Sequence, residues 1–90
     1  MAKKRGKLEV VHDILKIIAG NGNSMKPTPL MRKSNLSSEL YQKYMSELIE
    51  KGFVREITDH NGKLITLTDK GFSYIEKYRT ITSFIDDFGL

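Results

Sequence analysis

The sequence predicts a mostly helical α+β domain: three helices, a two-stranded β-hairpin and a closing helix. Three observations carry that expectation. Apolar residues recur at spacings of three and four in four separate segments. One other run, "FVREITDHNGKLITLT", fits two short strands around a turn at Asn61-Gly62. Thr28-Pro29, Ser37, Gly52 and Thr68 stand where helices of those lengths need their caps and stops.

In the first helix, residues 8–19, Leu8, Val11, Ile14, Leu15 and Ile18 form an apolar stripe opposite Glu9, His12, Asp13 and Lys16. It is expected to stop at "GNGN", where Gly20 and Gly22 supply left-handed backbone. "SMK" offers a brief strand. Thr28 as N-cap and Pro29 at the first helical position then open a short helix over 29–34. Ser37 caps a third helix over 37–51, Glu39 in its first turn suits the dipole, and Gly52 is placed to end it. Leu40, Tyr44 and Leu48, flanked by Met45 and Ile49, are its expected buried face. Ser38, Glu39, Gln42, Lys43 and Ser46 fall opposite, with Tyr41 at the boundary.

Phe53, Ile57, Ile65 and Leu67 share one face of the hairpin if its loop is His60-Asn61-Gly62, with Gly62 at positive φ. That register sets Asp59 opposite Lys63, a compatible pair. An Asn61-Gly62 loop is the competing register and spoils the apolar match. Thr68 caps the last helix, in which Tyr74, Tyr78, Ile81, Ile85 and Phe88 follow heptad spacing. The seam runs barely two heptads. Phe72 and Ile75 point elsewhere, back into the domain.

Ninety residues are expected to form one domain, with a core modest enough that dimerisation would add stability. The absence of cysteine excludes a disulfide framework and a zinc finger. No apolar run approaches membrane-spanning length, and "MAKKRGK" lacks the apolar stretch of a signal peptide. The expectation is a soluble, cytoplasmic protein with no membrane partner. The net charge is +4. Lys3, Lys4, Arg5 and Lys7 crowd the first seven residues, and Lys26, Arg32, Lys33 and Lys43 outnumber Glu39 over 24–43. Asp86 and Asp87 make the C-terminal end acidic. Such segregation favours a polyanionic partner.

Three helices followed by a β-hairpin is the winged helix-turn-helix order, in which the second helix of the pair enters the major groove and the first braces the backbone. On that reading the polar turn and the exposed face of 38–46 serve contact with DNA. The expected contacts are Lys3, Lys4 and Arg5 on a basic arm; Arg32, Lys33 and Asn35 at the turn; Ser37, Ser38, Gln42, Lys43 and Ser46 on the recognition helix; and His60, Asn61 and Lys63 on a wing over 58–64. Glutamine can pair bidentately with adenine, and lysines hold phosphates. Glu39, at the DNA-facing end, must read a cytosine amine or stay clear of phosphate.

The chain resembles the small archaeal winged-helix DNA-binding proteins of the Sso-ten-a type. The resembling residues are "AKKRGKLEVVHDILK", "PLMRKSNLSSELYQKYMSELIEKGFV" and "ITLTDKG", which reach to about residue 78. The resemblance implies regulatory or sequence-tolerant, nucleoid-associated binding of double-stranded DNA by a homodimer. It also implies antiparallel pairing of the last helices, through Tyr74, Tyr78, Ile81, Ile85 and Phe88 here.

Other chemistries find little support. His12 and His60 have no ligand spacing, and Asp86-Asp87 lacks a third oxygen ligand, so no metal or other cofactor is expected. No nucleophile–base pair or phosphate loop can be assembled, and the chain does not read as an enzyme. A protein-interaction module that uses the fold as a scaffold is the competing reading, because Glu39, Glu47 and Glu50 lie along or beside the same helix face. The expected layout is an arm over 1–7, a DNA-binding domain over 8–68 and a dimerisation helix over 69–90.

Overall fold

The computed structural model describes residues 5–89. The order is α1 (Lys7–Gly20), β1 (Ser24–Met25), α2 (Pro27–Ser34), α3 (Ser38–Glu50), β2 (Val54–Asp59), β3 (Gly62–Leu67) and α4 (Asp69–Asp87). The three strands form an antiparallel sheet in the order β1-β3-β2. Helix α1 packs against α2, the sheet and α4. Its Ile14, Leu15 and Ile18 are completely buried. Each such side chain contributes about 1.5–3 kcal/mol by leaving water.

Short-range signals place most of the helix ends. The Ser37 hydroxyl accepts the Leu40 N–H at 3.2 Å, and the Thr68 hydroxyl accepts the Gly71 N–H at 3.1 Å. Thr68 also points its own proton at the carbonyls of Gly52 (2.6 Å) and Phe53 (2.9 Å), tying α4 to the connection before β2. Asn35 adopts the left-handed conformation, φ 56°, and so ends α2 and makes the turn into α3.

Several boundaries and faces differ from expectation. Helix α2 begins at Pro27 with Lys26 as its cap, two residues earlier than the Thr28-Pro29 signal implied, since a proline also suits that first position. Gly20 remains helical, and the left-handed residues after α1 are Gly22 and Asn23. In α1 the covered arc includes Val10 and stops short of Leu8, which is 66% exposed. In α3 the buried residues are Tyr41, Met45 and Leu48, while Leu40 is 44% exposed. The neighbouring sheet covers Tyr41 and leaves Leu40 uncovered.

The hairpin takes neither expected register. Asp59 pairs with Gly62, Glu56 with Ile65 and Val54 with Leu67, leaving a two-residue His60-Asn61 loop. Asp59 accepts the Asn61 N–H through Oδ1 at 2.8 Å, and the reversal falls on Gly62 at φ 109°. A slip of one residue sends alternate side chains to the other face. Val54 therefore joins Ile65 and Leu67 in the core, Phe53 packs half-buried against it, and Ile57 is exposed.

Candidate nucleic-acid interface

Helix α3 follows the turn after α2 and packs against β2 of the β2–β3 wing. Its capped first turn exposes Ser38, and the next two turns expose Gln42, Lys43 and Ser46. Gln42, Ser46 and Ile49 of α3 line a cleft of about 160 Å³ together with Pro27 of α2 and Glu56 and Lys63 of the wing. The cleft thus joins the recognition-helix candidates to the wing. Burial raises the pKa of the Tyr41 phenol beneath it, with the Glu56 charge acting the same way, so Tyr41 presents a neutral hydroxyl.

The basic groups occupy the margins. Arg32 and Lys33 are exposed in the last turn of α2, beside Asn35. His60 and Asn61 are exposed at the hairpin tip. Lys63 lies in the adjoining strand, with Nζ 3.8 Å from Oε1 of Glu56. An exposed pair of that length is weak, and its lysine can be redirected to a phosphate at little cost.

Arg5 occupies a different place from the one a free arm would give it. One nitrogen donates to Asp13 at 2.9 Å and the other to the carbonyl of Ser34 at 3.0 Å. The guanidinium therefore clips the segment before α1 to the end of α2, next to the helix-turn-helix turn. Lys3 and Lys4 lie outside the described residues. Lys7, in α1, reaches Glu47 of α3 at 2.7 Å, and Lys51 approaches the same oxygen at 3.1 Å. The Lys7 ammonium, hydrogen-bonded to Glu47, holds that carboxyl below its usual range, and Glu47 in turn raises the pKa of Lys7.

Asp13, Glu47 and Glu56, each of which neutralises a nearby cation, were not among the expected site residues. Their partners stand 8, 40 and 7 positions away in the chain (Arg5, Lys7, Lys63), so only the i,i+4 pair of Glu47 with Lys51 leaves a local signal.

The C-terminal seam divides in two. Tyr74 donates to the Leu8 carbonyl at 2.8 Å and stands edge-on to Phe53, while Tyr78 stacks on His12. These two residues secure α4 to its own domain. Ile81, Ile85 and Phe88 beyond them are exposed, as is Phe84, which packs on Phe88. Ile75 packs against the core as expected, but Phe72 is exposed, and it is Gly71 that is buried against Phe53 and Leu67. Among the described residues no cluster of metal-ligating side chains occurs and no helix is long and apolar enough to cross a membrane.

The arrangement has close counterparts among solved structures. F93 from STIV, a winged-helix DNA-binding protein, superposes with a TM-score of 0.75 at 22% identity, covering 88% of this chain and 91% of that one. Sso10a-2, a DNA-binding protein from Sulfolobus solfataricus, gives 0.77 at 20% identity over 93% and 85% of the two chains. A mutant of MarR from E. coli, complexed with operator DNA, gives 0.66 at 21% identity over 74% of this chain and 49% of that one. No curated protein sequence matches. The family model for the winged helix-turn-helix matches residues 4–86. With that match across nearly its whole length, the chain belongs to the winged helix-turn-helix family.

Proposed function

We propose that this chain is a DNA-binding regulator that places α3 in the major groove and the β2–β3 wing against the flanking backbone. The observation that carries the reading is the distribution of side chains around α3. Hydrogen-bonding groups, Ser38, Gln42 and Ser46, face outward along one helix, while the cations Arg32, Lys33 and Lys63 stand on the elements flanking it. That division suits a duplex, whose phosphates line the rims of the groove and whose base edges lie on its floor.

Lys43 continues the polar face, and Asn35, Ser37, His60 and Asn61 complete the proposed contact surface. Residues 1–7 supply further positive charge through Lys3 and Lys4, with Arg5 acting where it is clipped, beside the turn. Residues 8–68 act as the DNA-binding unit and 69–90 as the element that pairs two copies. Ile81, Ile85 and Phe88, exposed at the far end of α4, support that pairing. The proposed protein is not an enzyme and works in the cytoplasm on the nucleoid.

A protein-interaction module is the second reading, favoured by one observation: α3 carries three glutamates against one lysine. Titrating a fluorescent duplex with the protein at low salt separates the two. Saturable binding supports the DNA reading, and no binding leaves the interaction module.

A further inference from the structure

We infer that Glu39 is a specificity-determining residue whose carboxylate accepts a hydrogen bond from the exocyclic amine of a cytosine in the major groove. The inference rests on the reading of α3 as the helix in that groove. It makes the protein selective for particular sites rather than tolerant of any duplex.

The starting point is the acidity of a helix that should meet a polyanion. At about 100° per residue, the direction opposite Tyr41, Met45 and Leu48 belongs to Glu39, Lys43, Ser46 and Glu50. All four are exposed. Of the other acids around α3 and the wing, Glu47 lies beside Lys7 and Lys51 and Glu56 lies 3.8 Å from Lys63, while Asp59 accepts the Asn61 N–H. Among the described residues, Glu39 and Glu50 have no basic group at salt-bridge distance. Among the described residues, the outermost line of α3 therefore holds two carboxylates without an ion-pair partner and one ammonium. A surface built to follow phosphates would hold lysine and arginine there.

Position decides what each carboxylate meets. Glu39 is in the first turn of α3, and it is the N-terminal residues of a recognition helix that approach base edges. Glu50 is the last residue of the helix, at the end leaving the groove. An ionised carboxylate only accepts hydrogen bonds. Guanine offers acceptors on the groove floor and thymine an acceptor and a methyl group. Adenine sets an acceptor beside its amine. The cytosine edge presents its amine alone, which makes it the base a carboxylate suits. Gln42, one turn further on, has the complementary chemistry for adenine. Glu39 also suits the helix dipole beside the Ser37 cap, and that role leaves its exposed carboxylate oxygens able to accept from a base.

The test is selection from a pool of duplexes randomised over about one turn of DNA, using the whole chain and the variants Glu39→Gln and Glu50→Gln. The wild type should enrich cytosine at one position per protomer by about 5-fold or more, the range of a good base contact. Glu39→Gln preserves the length but carries an amide, so the preference at that position should move from cytosine to adenine. Glu50→Gln removes the same charge and should raise affinity for every duplex while leaving the cytosine preference in place. If Glu39→Gln proves unfolded, Glu39→Asp keeps the charge with a shorter reach and should lose the preference. Enrichment of the same sequences by wild type and Glu39→Gln, or no base preference in the wild type, overturns the inference while DNA binding stands. Failure of the wild type to bind the pool at low salt overturns the groove reading itself, and the inference with it.

Discussion

The imidazole of His12 lies face to face with the phenol of Tyr78, ring centroids 4.1 Å apart and planes 17° from parallel, and so fastens α4 to α1. Its Nε2 is buried with no hydrogen-bond partner among the described residues. Burial pushes the His12 pKa down; Asp13 pulls it up, and Lys16 and Arg79 push it down further. The unfolded chain therefore takes up the proton first. Stability from the neutral, stacked imidazole is complete above the unfolded pKa of about 6.5 and is lost as the pH falls from there through the lower folded value.

Urea midpoints should accordingly fall between about pH 7.5 and about pH 5.5. His12→Phe retains a ring against Tyr78 and removes the titration, so its midpoint should stay flatter over the same interval. The carboxyl of Glu47, held low by Lys7 and Lys51, loses its contribution only when the pH falls below about 4.5 and leaves the His12 window clear. Equal pH slopes for wild type and His12→Phe would show that the imidazole is not the group responsible.

Gly71→Ala tests the tight approach of α4 to Phe53 and Leu67. A Cβ at Gly71 would run into the carbonyl oxygen of Phe53 and stand 2.6 Å from Leu67 Cδ1. The backbone oxygen has no rotamer by which to yield. The expected loss is about 1–3 kcal/mol from overpacking, partly offset by about 1 kcal/mol of helix propensity. A thermal midpoint equal to or above that of the wild type would mean that α4 shifts off β3 without loss.

How much of this fold could be read from the residues depended on the range of the forces involved. Ser37 and Thr68 were legible as caps because a cap bonds to a backbone group three residues away. The edges of buried faces were not. Leu8 and Leu40 belong to apolar arcs by spacing, yet which edge is covered depends on where the sheet and α4 pack. Apolar matching alone favours a hairpin register with Phe53 and Ile57 on the core face. The Asp59 carboxylate, bonded to the Asn61 amide, and the burial of Val54 select the other pairing. At the candidate interface the residue types were legible on α3. The clip from Arg5 to Ser34 and the Lys63–Glu56 pair were not, since each joins parts of the chain that no local pattern links.

Two kinds of substitution should separate phosphate contacts from base contacts. Lys33→Ala should weaken binding to all duplexes alike and lower the salt slope by about one. Lys63→Ala should act in the same way, because Glu56 restrains its ammonium only weakly. Gln42→Ala should change the preference at one base pair by about 1–3 kcal/mol. If only the lysine changes matter, the protein follows phosphates without reading bases.

Pairing through α4 is tested by adding charge to its exposed end. Ile81→Asp with Ile85→Asp leaves Tyr74 and Tyr78 in place on the domain and should yield a folded monomer. DNA affinity should then fall, by up to about 100-fold where two half-sites were engaged at once. Sedimentation of the wild type as a monomer at concentrations on the order of tens of micromolar would remove the dimer from the proposal.

The most direct test of DNA binding is the salt dependence of duplex affinity. If the arm, Arg32, Lys33, Lys43 and Lys63 neutralise about five phosphates per protomer, log affinity should fall against log salt with a slope of about −4.5. Between about 50 and about 200 mM salt, affinity should then drop roughly 500-fold. An affinity independent of salt, or no binding at the lower concentration, would contradict it.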